Sequence, residues 1–173
     1  MKVYIVRHGE SETNLQKKWT GWLDVELTNK GIEDAKKVTP VLKDIVFDKV
    51  YASDLKRAKK TAEIALPNCE YETSSLLREI DVGNFAGKPL SIYDTLTPEE
   101  KELNLKNAFK DFGGESVEDL TKRVETFIKE LETKDFNNDM HHRLGFFFRT
   151  EILVGGIEIV SVLAIALFLP LNT

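Results

Sequence analysis

An α/β fold with a mostly parallel sheet is predicted by three observations. Short β-prone apolar runs alternate with amphipathic helical stretches along most of the chain. The first run, residues 3–6, delivers Arg7 and His8 side by side into a polar turn containing Gly9. A second run, residues 49–52, leads into a segment that carries Arg57. In open parallel sheets ligands sit beyond the carboxyl ends of the strands, and both arginines fall there.

The elements follow in order. Residues 2–6 predict a buried strand and residues 7–24 a loop. Leu27-Thr28-Asn29-Lys30-Gly31 opens a helix with Thr28 as N-cap. Ile32, Ala35, Val38, Leu42 and Ile45 form its apolar stripe, and Pro40 is expected to kink or break it. After the strand over 49–52, Ser53 or Asp54 is expected to cap a helix running through Ile64, with Leu55, Ala58, Ala62 and Ala65 turned inward. A short third strand is expected over 70–73 and a glycine-punctuated loop over 77–88. Thr97-Pro98-Glu99-Glu100 is a helix start: a cap, proline at the first position and glutamate at the third. Gly113 and Gly114 break the chain, and Ser116 with Asp119 starts a last helix. Its stripe is Val117, Leu120, Val124, Phe127, Ile128 and Leu131.

The chain has 173 residues, 42% hydrophobic and 31% charged, enough for one domain with a real core. A formal net charge of -5 argues against a nucleic-acid partner held by counterion release. It leaves room for an anionic small molecule bound by local arginines. The single cysteine, Cys69, excludes an intrachain disulfide, fits a cytoplasmic setting and reads as a half-buried structural thiol. No signal peptide is expected, because the run 3–6 is short and meets Arg7. The composition shifts near Asp139. Residues 140–173 contain two arginines, two glutamates and no lysine. Residues 1–139 are therefore expected to form the principal domain, with 140–173 an atypical apolar tail packed on it.

Arginine is scarce before that point: Arg7, Arg57, Arg78 and Arg123 stand against eighteen lysines. A guanidinium binds phosphate or carboxylate oxygens bidentately, which lysine cannot do. Each arginine alone reads as a surface ion pair, but Arg7 and Arg57 can reach one crevice. His8 between Arg7 and Gly9 is a competent nucleophile toward phosphorus, with flanking cations to hold the phosphoryl group. Glu79 is a loop carboxylate among apolar neighbours. Partial burial would raise its pKa as a general acid requires, while Arg78 beside it would make it an ordinary ion pair. On spacing alone the two readings are even, and Asp81, Glu10 and Glu12 are rival carboxylates.

Together these residues resemble the histidine phosphatase (phosphoglycerate-mutase-like) superfamily. Its signature R-H-G-E-[ST]-x-x-N is met by Arg7, His8, Gly9, Glu10, Ser11 and Asn14. Thr20-Gly21-Trp22 is similar to its phosphate-loop continuation. The segments around Arg57 and Glu79, and Gly113-Gly114-Glu115-Ser116, are similar to its later motifs, so the resemblance runs from residue 1 to about 138. It implies a three-layer α/β/α fold and phosphoryl transfer through phosphohistidine on His8. Arg7 and Arg57 would clamp the phosphate, with Asn14, Thr20 and Gly21 binding substrate, and Glu79 would be general acid and then base. A small phosphorylated substrate or inorganic phosphate is implied as ligand, and no metal or organic cofactor. The short chain and the run Glu79-Ile80-Asp81-Val82-Gly83 are similar to the small phosphatases of the family. Phosphoglycerate mutase is the alternative, and an inactive phospho-ligand binding relative is a third reading.

The pattern departs after Glu132. The family places a second histidine after an apolar core strand that follows this helix. Here His141 and His142 come with no such strand expected before them. Losing that donor would cost on the order of 10²–10³ in rate. The change of composition suggests a frame-shifted or replaced C-terminus. Residues 152–169 approach membrane-spanning length with Glu158 as the only charge, but Glu158 and Gly155-Gly156 count against a span.

Overall fold

A computed structural model describes residues 2–133, 143–147, 152–154 and 157–159. Its centre is a four-stranded parallel sheet in the order β1-β4-β2-β3. The strands are β1 (Lys2–Val6), β2 (Lys49–Ser53), β3 (Glu72–Ser74) and β4 (Arg143–Phe147). A separate antiparallel pair joins β5 (Ile152–Val154) to β6 (Ile157–Ile159). The helices are α1 (Glu12–Leu15), α2 (Asn29–Leu42), α3 (Lys56–Ala65), α4 (Pro98–Asn107) and α5 (Val117–Thr133).

Strand alternation sorts the core into layers, because successive side chains point to opposite faces. Tyr4, Val6, Val50 and Ala52 pack with Val38 and Leu42 of α2 and with Ala62 and Ala65 of α3. Val3 and Tyr51 pack on the other face with Phe127 and Leu131 of α5. Helices on both faces of a parallel sheet make the three-layer α/β/α fold that the sequence predicts. A third cluster, in which Trp19, Phe85 and Phe109 meet edge to face at 5.3–5.7 Å, lies under the loop after β3 and receives Leu120 and Val124 from α5. It supports the segment that carries Glu79.

Local signals place most ends. Thr28 caps α2 by accepting from the Gly31 N–H, and Thr97 with Glu100 closes a capping box on α4. Ser116 and Asp119 exchange side-chain and backbone bonds at the start of α5. Other expectations change. Residues 12–15 form a short helix capped by Ser11 and Asn14 inside the expected loop. Pro40 does not stop α2, which continues to Leu42, because a proline near the C-terminus forfeits a single amide bond. Leu55, not Ser53 or Asp54, is the N-cap of α3. The third strand starts two residues later and ends one later than expected. Ile5, Val117 and Cys69 are exposed, against the buried strand, the apolar stripe and the half-buried thiol respectively.

The largest correction concerns the sheet. A core strand does follow α5: β4 pairs with β1 and β2 at once, aligning Phe147 with both Val6 and Ala52. The run Arg143-Leu144-Gly145-Phe146-Phe147 is short and interrupted by glycine, so its apolar signal is weak. Its backbone nevertheless satisfies the facing ladders of two strands. This pairing joins residues 143–147 to the sheet of the preceding domain. His141 and His142 lie outside the described residues, as does much of the apolar stretch over 152–169, whose described parts are β5 and β6. Among the described residues no helix is long and apolar enough to cross a membrane.

The turn leaving β1 lies directly against α2. A Cβ on Gly9 would overlap the Gly31 carbonyl, and one on Gly31 would overlap the Glu10 carbonyl. Gly31→Ala is therefore expected to destabilise the fold by about 1–3 kcal/mol through overpacking, although alanine is the better helix former. Urea denaturation measures this, and an unchanged or raised midpoint would contradict the close approach.

Candidate active site

The carboxyl end of β1 sets His8 in place, buried at 7% exposure. Its Nδ1 lies 2.6 Å from the Gly9 carbonyl oxygen. A carbonyl can only accept, so Nδ1 carries the proton and Nε2 keeps its lone pair. Arg57 Nε donates to that Nε2 at 3.2 Å. Burial first, then the charge of Arg57, push the imidazole down to about 3; the Gly9 bond opposes them, and Arg7 adds a smaller push in their direction. The ring is neutral across the physiological range.

Arg57 comes from the first turn of α3 and is 2% exposed. Its NH1 donates to the Leu23 carbonyl at 2.8 Å, and its NH2 to the Gly21 carbonyl at 2.8 Å and to Glu79 Oε2 at 3.1 Å. Burial lowers its pKa, opposed by Glu79 and Asp24. Glu79 follows a one-turn 3-10 helix over Ser75–Leu77, and its side chain is 16% exposed. Burial pushes its carboxyl up to about 7, against the pull of Arg57 and Arg7.

His8, Arg7 and Glu79 line a pocket of about 600 Å³. Asn14 and Thr20 also line it, as do Lys17, Lys18 and Lys30. Asn14 spends its carboxamide oxygen on the N–H and hydroxyl of Ser11 at 3.1 and 2.9 Å. Its Nδ2 donors remain for the pocket. Thr20 shares a 2.7 Å hydroxyl bond with Thr13. The concentration of cations around one neutral histidine suits a small, multiply charged anion. Among the described residues no group of three or more His, Cys, Asp or Glu is placed to hold a metal ion.

Several predicted residues take a different place. Gly21 does not line this pocket; with φ +52 it turns its carbonyl to Arg57. Arg57 lies behind His8, in a smaller cavity with Ser53 and Leu55, and reaches the cleft through its donors. Asp24 takes the Lys56 N–H at the start of α3 at 2.7 Å, so that amide is already engaged. Arg78 pairs with Asp54, its Nε at 2.7 Å from Oδ1, which removes it as the partner of Glu79. Among the rivals, Glu10 lines the pocket but is held by Thr28 at 2.9 Å and Lys30 at 3.1 Å, bonds that lower its pKa. Asp81 accepts the Gly83 N–H at 3.0 Å.

Three residues outside the predicted site hold the Glu79 loop: Trp22, Glu115 and Arg123, the last expected as a surface ion pair but only 12% exposed. Trp22 Nε1 and Arg123 NH2 both donate to the Glu79 carbonyl, at 2.8 and 2.9 Å. The scarcity of arginine was a usable signal for Arg123. Nothing in the spacing pointed to Glu115 as its partner.

The sequence matches the histidine phosphatase superfamily (branch 1) over residues 3–141. A Salmonella paratyphi A protein named "Probable phosphoglycerate mutase GpmB" is 36% identical over 131 residues, covering 72% of this chain and 60% of that protein. The chain thus spans about 60% of the length of the curated relatives it matches. The crystal structure of TTHB049 from Thermus thermophilus is similar at a TM-score of 0.65 and 30% identity, covering 86% of this chain and 78% of the other. A candidate alpha-ribazole-5'-P phosphatase from Escherichia coli K-12 is similar at a TM-score of 0.69 and 25% identity, covering 86% and 73%.

Opposite pH slopes are expected from the two central groups. Glu79 ionises at its ordinary 4.5 when unfolded but near 7 when folded. Its contribution to stability is full below 4.5 and is lost as pH rises to 7. His8 protonates at 6.5 when unfolded and near 3 when folded. Its contribution is full above 6.5 and is lost as pH falls toward 3. The slopes cancel between 4.5 and 6.5. Glu79→Gln cannot ionise, so its Tm relative to wild type should rise as pH goes from 4.5 to 7. Calorimetry showing a difference independent of pH would contradict this.

Proposed function

The chain belongs to the histidine phosphatase superfamily, and on that premise we propose that it hydrolyses a small phosphomonoester through a phosphohistidine on His8. The carrying observation is one cleft that holds a neutral imidazole with its lone pair on Nε2 and a carboxyl group raised to about 7. A nucleophile that must be deprotonated and an acid that must be protonated are then both ready at mildly acidic pH.

The reaction divides into two transfers. Nε2 attacks phosphorus in line with the ester oxygen as Arg57 Nε passes from the imidazole to a phosphoryl oxygen. Arg7 and Asn14 are assigned to the remaining oxygens, with Thr20 beside them. Glu79 gives its proton to the departing alkoxide. The resulting carboxylate then takes a proton from water, which attacks phosphorus, releases inorganic phosphate and restores neutral His8. Fixed donors aimed at the equatorial oxygens carry most of the stabilisation in such a transfer.

Phosphoglycerate mutase is the second reading, favoured by the name of the Salmonella relatives. The small-phosphatase reading is favoured by the short run Glu79-Ile80-Asp81-Val82-Gly83 and by the Escherichia coli neighbour. We also propose that the rate is reduced. The sequence after Phe147, where β4 ends level with Val6, contains no histidine. Arg143 opens β4 at the level of Lys2, roughly four residues of strand, about 13 Å, before the Val6 end that leads to His8. Loss of one donor to the transition state costs on the order of 10²–10³ in rate. A cytoplasmic setting fits a chain whose one cysteine, Cys69, is exposed.

Incubation with a ³²P-labelled aryl phosphate is expected to leave acid-labile label on the wild type and none on His8→Ala. Turnover of an alkyl phosphate should hold between about pH 4 and 6 and fall above about 7, with the alkaline limb absent in Glu79→Gln. Equal rates in wild type and His8→Ala would defeat the enzyme reading. Binding of vanadate without turnover would favour an inactive relative.

A further inference from the structure

The Glu79 loop is gripped from behind by a single ion pair that lines neither pocket. Arg123, on α5, meets Glu115 through Nε to Oε1 at 2.7 Å and NH2 to Oε2 at 2.9 Å, with side chains only 12% and 14% exposed. Its remaining donors go to backbone: NH1 to the Leu76 carbonyl at 2.8 Å and NH2 to the Glu79 carbonyl at 2.9 Å. Glu115 completes the grip on the far side. Its Oε2 accepts the Asp81 N–H at 2.9 Å, and its own N–H donates to the Asp81 carbonyl at 2.9 Å. Residues 76, 79 and 81 are thus tied to one pair.

Trp22 links this grip to the nucleophile side. Its Nε1 donates to the same Glu79 carbonyl at 2.8 Å. The Arg78 guanidinium lies 4.9 Å and that of Arg123 6.0 Å from its ring centre, within cation–π range. The neighbours of Trp22 in sequence, Gly21 and Leu23, turn their carbonyls to Arg57. The backbone of the acid and the guanidinium beside His8 are therefore referenced to one tripeptide.

We propose that Arg123, with Glu115 and Trp22, is the positioning device for Glu79: it fixes the acid's backbone so that its carboxyl meets the leaving oxygen. The inference rests on Glu79 acting as the general acid in the reaction proposed above. The alternative for Arg123 is an ordinary interior ion pair that stabilises α5. That role is served by the two bonds to Glu115 and does not need the two to the carbonyls of the acid loop. A planar fork can make all four bonds at once, and a lysine ammonium cannot.

The leaving group separates the two roles. An alkyl phosphate needs a proton on its departing oxygen; a p-nitrophenyl phosphate, whose leaving group is a stable anion, needs far less help. A misplacement near 1 Å can cost about 10²-fold when geometry governs the step. Arg123→Lys and Arg123→Ala should lower kcat/KM for an alkyl phosphate by about 10²-fold while changing the p-nitrophenyl ester only a few-fold. Trp22→Phe, which keeps an aromatic face and loses the indole N–H, should show the same pattern more weakly. Equal losses on both esters, or no loss on either, would overturn the positioning role. An independent arm follows the ¹³C-labelled carboxyl of Glu79 by NMR titration. Its midpoint should fall toward the ordinary range in Arg123→Lys as the loop loosens and water reaches it, and an unmoved midpoint would overturn the proposal. That arm needs no turnover. A wild type inactive on both esters, with no label on His8, would sink the hydrolase reading and leave the positioning role to be decided by the titration.

Discussion

Burial of the Arg57 guanidinium is the constraint around which the rest is arranged. The group stays charged in a protein, so its donors must meet acceptors once water is removed. They are supplied by His8, by the Gly21 and Leu23 carbonyls, and by Glu79. These acceptors come from three segments distant in sequence. One cation on α3 therefore holds the turn after β1, the loop after α1 and the loop after β3 in a fixed mutual position. Removing one partner of such a buried set typically costs about 3–5 kcal/mol, because the other is left charged and unpaired.

The same burial acts with opposite sign on the two titrating groups. Desolvation penalises whichever form is charged, so it lowers the imidazole and raises the carboxyl. Arg57 reinforces the first shift and opposes the second. For Glu79 desolvation wins even though the guanidinium is 3.1 Å away. Between pH 4.5 and 6.5 a partly enclosed cleft thus holds base and acid both neutral, where each would be charged in water.

Much of this was legible in the sequence. The strand ending in Arg7-His8, the capped helices and the loop placing of Glu79 follow from local pattern and short motifs. The side that Arg57 approaches from, and its retreat behind His8, did not follow, because they depend on where carbonyls of another segment point. The N-cap at Leu55 does not follow from local pattern for a related reason: Asp24, thirty-two positions before Lys56, supplies the acceptor for the Lys56 N–H that a local Ser or Asp normally provides. The Arg123–Glu115 pair spans a helix start, and its hold on the Leu76 and Glu79 carbonyls, more than forty positions away, is tertiary. β4 was missed because its apolar signal is spread over five residues with a glycine at the centre, and only the two facing strands make that segment a strand.

That strand has a consequence for how the chain acquires its shape. β4 lies between β1 and β2, yet it is translated some ninety residues after β2 and about 140 after β1. At ribosomal rates of about 5–20 residues per second, both inner edges stay open for roughly 5–20 s before their partner emerges. Closing so distant a pairing is entropically slow, and open strand edges recruit other chains. The nascent protein thus passes through a vulnerable interval set by strand order alone, in which holding factors and competing edges meet it before β4 does.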